Sequence, residues 1–294
     1  MKVLILSSQE CEDIDARNGD CIVIDNGKEI VIYDCGSEDY AYWVIEYMER
    51  NGYSSAKVVL SHNDDDHFLG IPVLIKERKV SEITTVLLLK YADEVLDLID
   101  DKRRRKEKLK EQIKNEYDNI NNLSGNNLKD AFDYINITDG VKLCGPGKDY
   151  ILKAAAKGLD TTEGDIIDGV TIKNATSIHL EVDFGTCKLL LTGDSSFESV
   201  QTENLEEFKV IQLPHHGNAE VGMKILEETK NEIEKIYIIS DNTGNSNGGS
   251  DNLNANSFDV RNTKVKGMLI LDKNELMRSR IYKGNLCTDE ISYI

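Results

Sequence analysis

Three times in this chain a short, largely apolar run stops at a turn that carries histidine or aspartate. Lys57–Leu60 leads into Ser61-His62-Asn63-Asp64-Asp65-Asp66-His67. Lys188–Leu191 leads into Thr192-Gly193-Asp194, and Val210–Leu213 into Pro214-His215-His216-Gly217. Short apolar runs bounded by turn residues read as buried strands. Each motif sits just past such a strand, so a sandwich of sheets brings all three to one edge. Four of the five histidines lie in these turns. Independent surface turns would not use up the histidines in this way.

Further strands are expected at Lys2–Leu6, Cys21–Asp25 and Glu29–Tyr33, with Asn26-Gly27 as a hairpin turn between the last two. Asp34-Cys35-Gly36-Ser37 closes the third on a glycine turn, and Ala41–Asn51 reads as a helix. After Gly70 come a helix, Ile71–Lys79, and a strand, Thr84–Leu89. The second half gives strands at Gly140–Cys144, Val170–Asn174, Ile178–Phe184, Cys187–Thr192, Phe208–Leu213 and Lys235–Ser240. Asn242–Asn256 reads as a long loop. Met268–Leu271 and Arg278–Tyr282 read as a closing antiparallel pair. Between the halves, 92–135 is charged and rich in helix formers, and reads as a helical insertion within a single domain spanning 1–294.

The donor chemistry of the three turns is specific. His62, Asp64, Asp66 and His67 place four oxygen or imidazole donors within six residues, able to converge on one or two divalent cations. With no sulfur among them they suit Zn, Mn or Fe(II). In the second turn Gly193 permits a sharp bend that projects Asp194 at the strand's end. In the third, two imidazoles follow a fixed proline; one can bind metal while the other faces substrate. The six cysteines are widely and irregularly spaced, without a Cys-x-x-Cys, and read as reduced core thiols.

The order His-x-Asp-x-Asp-His, Leu-Leu-Thr-Gly-Asp, Leu-Pro-His-His-Gly resembles the metallo-β-lactamase-fold hydrolases. In particular it resembles the hydrolase domain of ComEC-type competence proteins and their standalone cytoplasmic relatives. Asn18-Gly19-Asp20-Cys21, with Ile30–Gly36, is similar to that branch's opening hairpin. The resemblance implies an α+β fold, a four-layer αββα sandwich with two divalent metal ions (Zn or Mn) along one edge. His62 and Asp64 would bind one ion, Asp66 and His67 the second, and Asp194 would bridge. His215 or His216 completes the set; the assignment followed here makes His215 a ligand, with Asp66 and His216 catalytic. Asp66 would orient a metal-activated hydroxide, and His216 would serve the leaving oxygen or the phosphate. The chain departs from many superfamily members in two places. His179 alternates with apolar residues on the face of Glu181 and Asp183, and is expected to point outward rather than to bind metal. No histidine follows the strand at Ile236–Ser240, where only Asp241 or Asn242 could substitute.

Charge bears on the substrate. With 53 Asp and Glu against 35 Lys and Arg the formal net charge is −18, which opposes indiscriminate coating of nucleic acid. Lys102–Lys114, however, carries eight Lys/Arg and two Glu, a local +6 that leaves −24 elsewhere. Arg103, Arg104 and Arg105 are therefore the candidate contacts to a substrate phosphate. The leading expectation is a phosphodiesterase or nuclease acting on single-stranded nucleic acid or a nucleotide. A hydrolase of a small ester, lactone or cyclic nucleotide is the second reading. A degenerate protein binding metal, or a protein partner through the insertion, is the third. No apolar run approaches the roughly 20 residues a membrane span needs, and a cytoplasmic location is expected.

Overall fold

The structure, a computed structural model, describes residues 1–7, 19–99, 105–123, 125, 127–160, 166–167, 170–232, 234–241 and 249–277. The apolar runs form two seven-stranded sheets. The first uses β1 (Lys2–Ile5), β2 (Cys21–Asp25), β3 (Ile30–Cys35), β4 (Ala56–Val59), β5 (Val80–Thr85) and β6 (Leu128–Asp130). The second uses β7 (Asn136–Thr138), β8 (Val141–Gly145), β11 (His179–Asp183), β12 (Lys188–Leu191), β13 (Phe208–Gln212), β14 (Ile236–Ile239) and β15 (Asp259–Asn262). A small pair, β9 (Ile166–Ile167) and β10 (Val170–Thr171), stands apart, and β16 (Leu269–Asp272) returns to the first sheet. The orders are β16-β1-β2-β3-β4-β5-β6 and β15-β14-β13-β12-β11-β8-β7. In each sheet one part is antiparallel and the other parallel: β3 to β6 in the first, β12 to β15 in the second.

Strand alternation builds the layers. Leu189, Leu191, Val210, Ile236 and Ile238 join the apolar layer that also holds Val3, Ile5, Ile22, Ile24 and Ile32. Their neighbours Leu190, Ile211, Tyr237 and Ile239 face the other way, onto Val221, Ile225 and Leu226 of the helix Ala219–Glu228. On the first sheet the helices Glu38–Arg50 and Ile71–Lys76 pack together over β3 and its neighbours. The result is an α+β, four-layer αββα sandwich, the metallo-β-lactamase fold, as the sequence suggests. The sheets are stitched near the site by Tyr33, whose buried hydroxyl donates to the Ile178 carbonyl at 2.8 Å.

Several boundaries differ from the sequence reading. The first sheet's strand ends at Thr85, and Leu88–Tyr91 forms a 3₁₀ turn instead of continuing a strand to Leu89. That segment is apolar because Val86 and Leu88 are buried within the main core, not because it lies in the sheet. The strand expected over Val170–Asn174 stops after two residues, because the Thr171 side chain accepts from the Asn174 amide and starts the helix Ile172–Ala175. The helix begun at Ile71 ends at Lys76. The closing strand β16 pairs antiparallel with β1; its expected partner, Arg278–Tyr282, lies outside the described residues. So do 242–248 of the expected loop.

Within 92–135, helices cover Ala92–Leu98, Lys106–Glu116 and Asp118–Asn122, and Leu128–Asp130 adds a strand beside β5. The helix Lys106–Glu116 buries only Leu109 and Ile113, four residues apart on one face, and turns most of its charged residues outward. No helix among the described residues is long and apolar enough to cross a membrane. Truncation of Ile113 to Ala should lower stability by about 2–5 kcal/mol, whereas Lys108→Ala should stay within about 0.5 kcal/mol. Urea unfolding of the full chain measures both; equal midpoints would contradict the packing of this helix.

Candidate metal centre

Parallel strands share a direction, so their carboxyl ends lie on one edge. The loop after β4 supplies His62, Asp64, Asp66 and His67; the turn after β12 supplies Asp194; the turn after β13 supplies His215 and His216. The structure brings these residues together across the two sheets. His62, His67 and Asp194 offer donor atoms all within 4.8 Å of one another, as do Asp66, His67 and His216, and as do Asp20, Asp34 and His67.

The geometry leaves atoms without hydrogen-bond partners where metal would sit. His62 is buried, with Nδ1 near the Ser61 and Ser177 hydroxyls at 2.9 and 3.2 Å. His67 is fully buried, and its Nδ1 faces Asp34 Oδ2 at 2.8 Å. Both rings thus spend Nδ1 on the protein and turn Nε2 inward, and neither Nε2 has a hydrogen-bond partner. Asp194 Oδ1 and His215 Nδ1 are also buried without one. Asp194 Oδ2 lies 3.4, 3.7 and 3.8 Å from Nε2 of His67, His216 and His215. Buried polar atoms are normally paired. Unpaired imidazole nitrogens and carboxylate oxygens converging with no sulfur fit divalent cations.

Charge supports the same reading. Burial favours the neutral acid of Asp194, yet His216, His67 and His215 hold it well below the usual carboxylate range. Burial works against a charged His67, but Asp194 and Asp34 outweigh it and raise its pKa well above the usual value. Burial likewise opposes ionisation of Asp64, and His62 and Lys173 bring it down to about 2. These carboxylates are therefore ionised and available as ligands.

His216 and His215 differ. His216 is buried, its Nδ1 donates to the Ser240 carbonyl at 2.9 Å, and its Nε2 lies 3.3 Å from Asp66 Oδ2. His215 is less buried, and it is absent from the tight clusters. Both have left-handed backbone (φ 52° and 55°), unusual for a residue with a Cβ; this bend aims consecutive rings at one site. Gly19 and Gly36 serve Asp66: a Cβ on either would lie 1.9 Å from the Asp66 carbonyl oxygen.

Other residues stand elsewhere. His179 is buried, contrary to the expectation that it points outward. Packing under the helix Phe197–Val200 encloses it: Nδ1 faces Glu203 at 3.0 Å and Nε2 faces Ser195 and Ser199 at 2.7 and 3.2 Å. Asp241 accepts from the Ser250 amide at 3.0 Å and joins none of the metal clusters, so it does not replace the missing late histidine; Asn242 lies outside the described residues. Arg105 is exposed at the start of the helix Lys106–Glu116 and forms no ion pair with the described carboxylates of the cluster; Arg103 and Arg104 lie outside the described residues.

The sequence reading gave no role to the residues behind the ligands. Asp34 Oδ1 accepts from the Ser61 amide and Oδ2 from its hydroxyl, both at 2.6 Å, while Oδ2 also holds His67. Gln212 donates to Asp20 Oδ2 at 2.5 Å and accepts from the amides of Thr192 and Gly193. Asp34 was within reach of sequence reasoning, because it too ends an apolar strand in a polar residue.

Residues 14–140 match the model of the metallo-beta-lactamase superfamily. Comparison with curated proteins gives no match. Similar solved structures include a diphosphatase from the PhnP family (12% identity, TM-score 0.46, covering 92% of this chain and 98% of that one). Another is the metallo-beta-lactamase fold protein YhfI from Bacillus subtilis (12% identity, TM-score 0.41, covering 72% and 69%). A third is the short form of human tRNase Z (12% identity, TM-score 0.36, covering 78% and 83%).

A carboxylate behind a metal-binding histidine fixes its ring and raises its basicity. Asp34→Asn should therefore weaken binding of Zn or Mn by about 10–100-fold with an unchanged far-UV circular dichroism spectrum. Competition with a chromophoric chelator measures it, and wild-type affinity would remove Asp34 from this role.

Proposed function

We propose that the protein is a metal-dependent hydrolase whose substrate is a phosphodiester. The observation that carries this reading is the convergence of the unpartnered His62 Nε2, His67 Nε2 and Asp194 Oδ1 at the shared edge of the two sheets. His62, Asp64 and Asp194 would hold one divalent ion, and Asp66, His67 and His216 a second. Bound there, such ions polarise a phosphoryl oxygen and lower the pKa of water towards neutrality.

The protein's own groups do the rest. Asp66, held at its backbone between two glycines, would orient the attacking water or hydroxide. The geometry favours exchanging the roles first given to the histidine pair. His216 has its Nδ1–H committed to Ser240, which leaves the Nε2 lone pair for metal. His215, the less buried ring, then faces the substrate; burial lowers its pKa, and as a neutral ring it can donate a hydrogen bond to a phosphoryl oxygen. The lysine beside Asp64 favours an anionic phosphoryl substrate over an uncharged ester.

The test is hydrolysis of single-stranded DNA, RNA and bis(p-nitrophenyl) phosphate by protein loaded with Mn or Zn. Turnover is expected, and its loss on chelation with recovery on re-addition of metal. Asp194→Asn should lower kcat by at least about a hundredfold, since it removes a charge that faces three imidazoles, while the unfolding midpoint marks an intact fold. Protein shown to hold metal that turns over none of the three would overturn the proposal. Less than one metal per chain after reconstitution would favour a degenerate binding protein.

A further inference from the structure

The cationic segment of the sequence does not deliver a described side chain to the site, yet one ammonium stands beside it. Lys173 Nζ lies 3.5 Å from Asp64 Oδ1. Among the described residues, no other Lys or Arg comes within 4.0 Å of Asp20, Asp34, Asp64, Asp66 or Asp194. The Lys173 side chain is 36% exposed and Asp64 is 31% exposed, so the pair forms the open rim of an otherwise buried centre.

The backbone of Lys173 is fixed. The helix Ile172–Ala175 is started by the Thr171 cap, and the Lys173 carbonyl accepts from the Thr176 hydroxyl at 2.9 Å and its amide at 3.2 Å. The same segment continues into Ser177, which touches His62 Nδ1 at 3.2 Å and accepts from the Asp194 amide at 3.3 Å. The segment that builds the site thus also carries the lysine. At 3.5 Å the contact with Asp64 is an ion pair without hydrogen-bond geometry, which leaves ammonium donors for a ligand.

We propose that Lys173 is the anion-recognition residue of this site, donating to a non-bridging oxygen of a phosphoryl group placed beside Asp64. The proposal rests on the hydrolase reading and names the charge that its substrate must carry. A neutral ester or lactone gains nothing from this ammonium, whereas a phosphodiester gains a charge-assisted hydrogen bond at the point where it enters. In a protein of net charge −18, a local cation at the mouth also offsets repulsion of an anionic ligand.

The experiment uses the full chain loaded with Mn or Zn, as wild type, K173Q and K173R. Calorimetric titration with inorganic phosphate reads binding without turnover; bis(p-nitrophenyl) phosphate reads KM and kcat; elemental analysis reads metal content. K173Q should weaken phosphate binding and raise KM about tenfold, with a smaller change in kcat and full metal content. K173R, which keeps the charge, should recover most of the binding. Phosphate affinity within twofold of wild type in K173Q would overturn the proposal. So would loss of metal from K173Q, because Lys173 would then serve Asp64 rather than the ligand. Wild-type protein that binds phosphate through Lys173 but cleaves no phosphodiester would overturn the hydrolase reading and leave this assignment standing.

Discussion

Three carboxylates, Asp20, Asp34 and Asp194, are buried where the two sheets meet, and the surrounding structure is organised around accommodating them. A buried charge is tolerated when it is paired and hydrogen-bonded. Asp34 is satisfied by Ser61 and His67, whereas Asp20 has only Oδ2 hydrogen-bonded, by Gln212; its Oδ1 lies 3.5 Å from His216 Nδ1 and has no hydrogen-bond partner. Asp194 differs in what it faces: one oxygen lies within 3.8 Å of three imidazoles, and the other, like Asp20 Oδ1, has no hydrogen-bond partner. The asymmetry separates two roles. Asp34 holds the frame with both oxygens, Asp20 does so through Oδ2 alone, and Asp194 keeps ligand capacity turned to the imidazoles.

The polarity of the sheets explains why these residues can meet. β3 and β4 run parallel in one sheet, and β12, β13 and β14 in the other. Their carboxyl ends emerge on a common edge, and each is followed by a polar turn. Had the hairpin pattern of β1–β3 continued, alternate turns would have fallen at opposite ends. The turns also need unusual backbone. Asp34, Gly193, His215 and His216 all have positive φ, and Gly19 and Gly36 admit the Asp66 carbonyl to a space that a methyl group would fill. Such strain is retained where surrounding packing enforces it.

Much of this was legible in the sequence because strands and metal-binding turns leave local signals. The apolar runs located β2, β4, β12 and β13 within a residue or two, and the scarcity of histidine joined the three turns. What was hidden depends on contacts distant in sequence. Nothing local says that His179 is covered by Phe197–Val200 and faces Glu203, so alternation alone suggested an outward ring. The run Val86–Leu89 looked like strand because burial in the core and burial in a sheet select the same residues. Lys173 gave no signal at all, since its meaning comes from Asp64, more than a hundred residues away. Asp34 followed the same grammar as the recognised turns, but its neighbours gave it no second donor and so no apparent chemistry.

The charged insertion shows how sequence charge and site charge can diverge. Asn63, beside the first ligand, donates to the Glu116 carbonyl at 2.8 Å and accepts from the Ile120 amide at 3.3 Å. The insertion therefore reaches the metal loop through the carboxyl end of the helix Lys106–Glu116. Arg105 stands at the opposite end, about 16 Å away at 1.5 Å per residue. That exceeds the Debye length of about 8 Å at physiological ionic strength, so the charge of this exposed residue is largely screened at the helix end that touches Asn63. The insertion's contact with the metal loop is made through backbone groups on Asn63 and through the Asn119 side chain, which donates to Asp65 Oδ1 at 3.2 Å. Electrostatic recognition of a ligand falls to whichever cation lies within a few ångströms, and among the described residues that position belongs to Lys173.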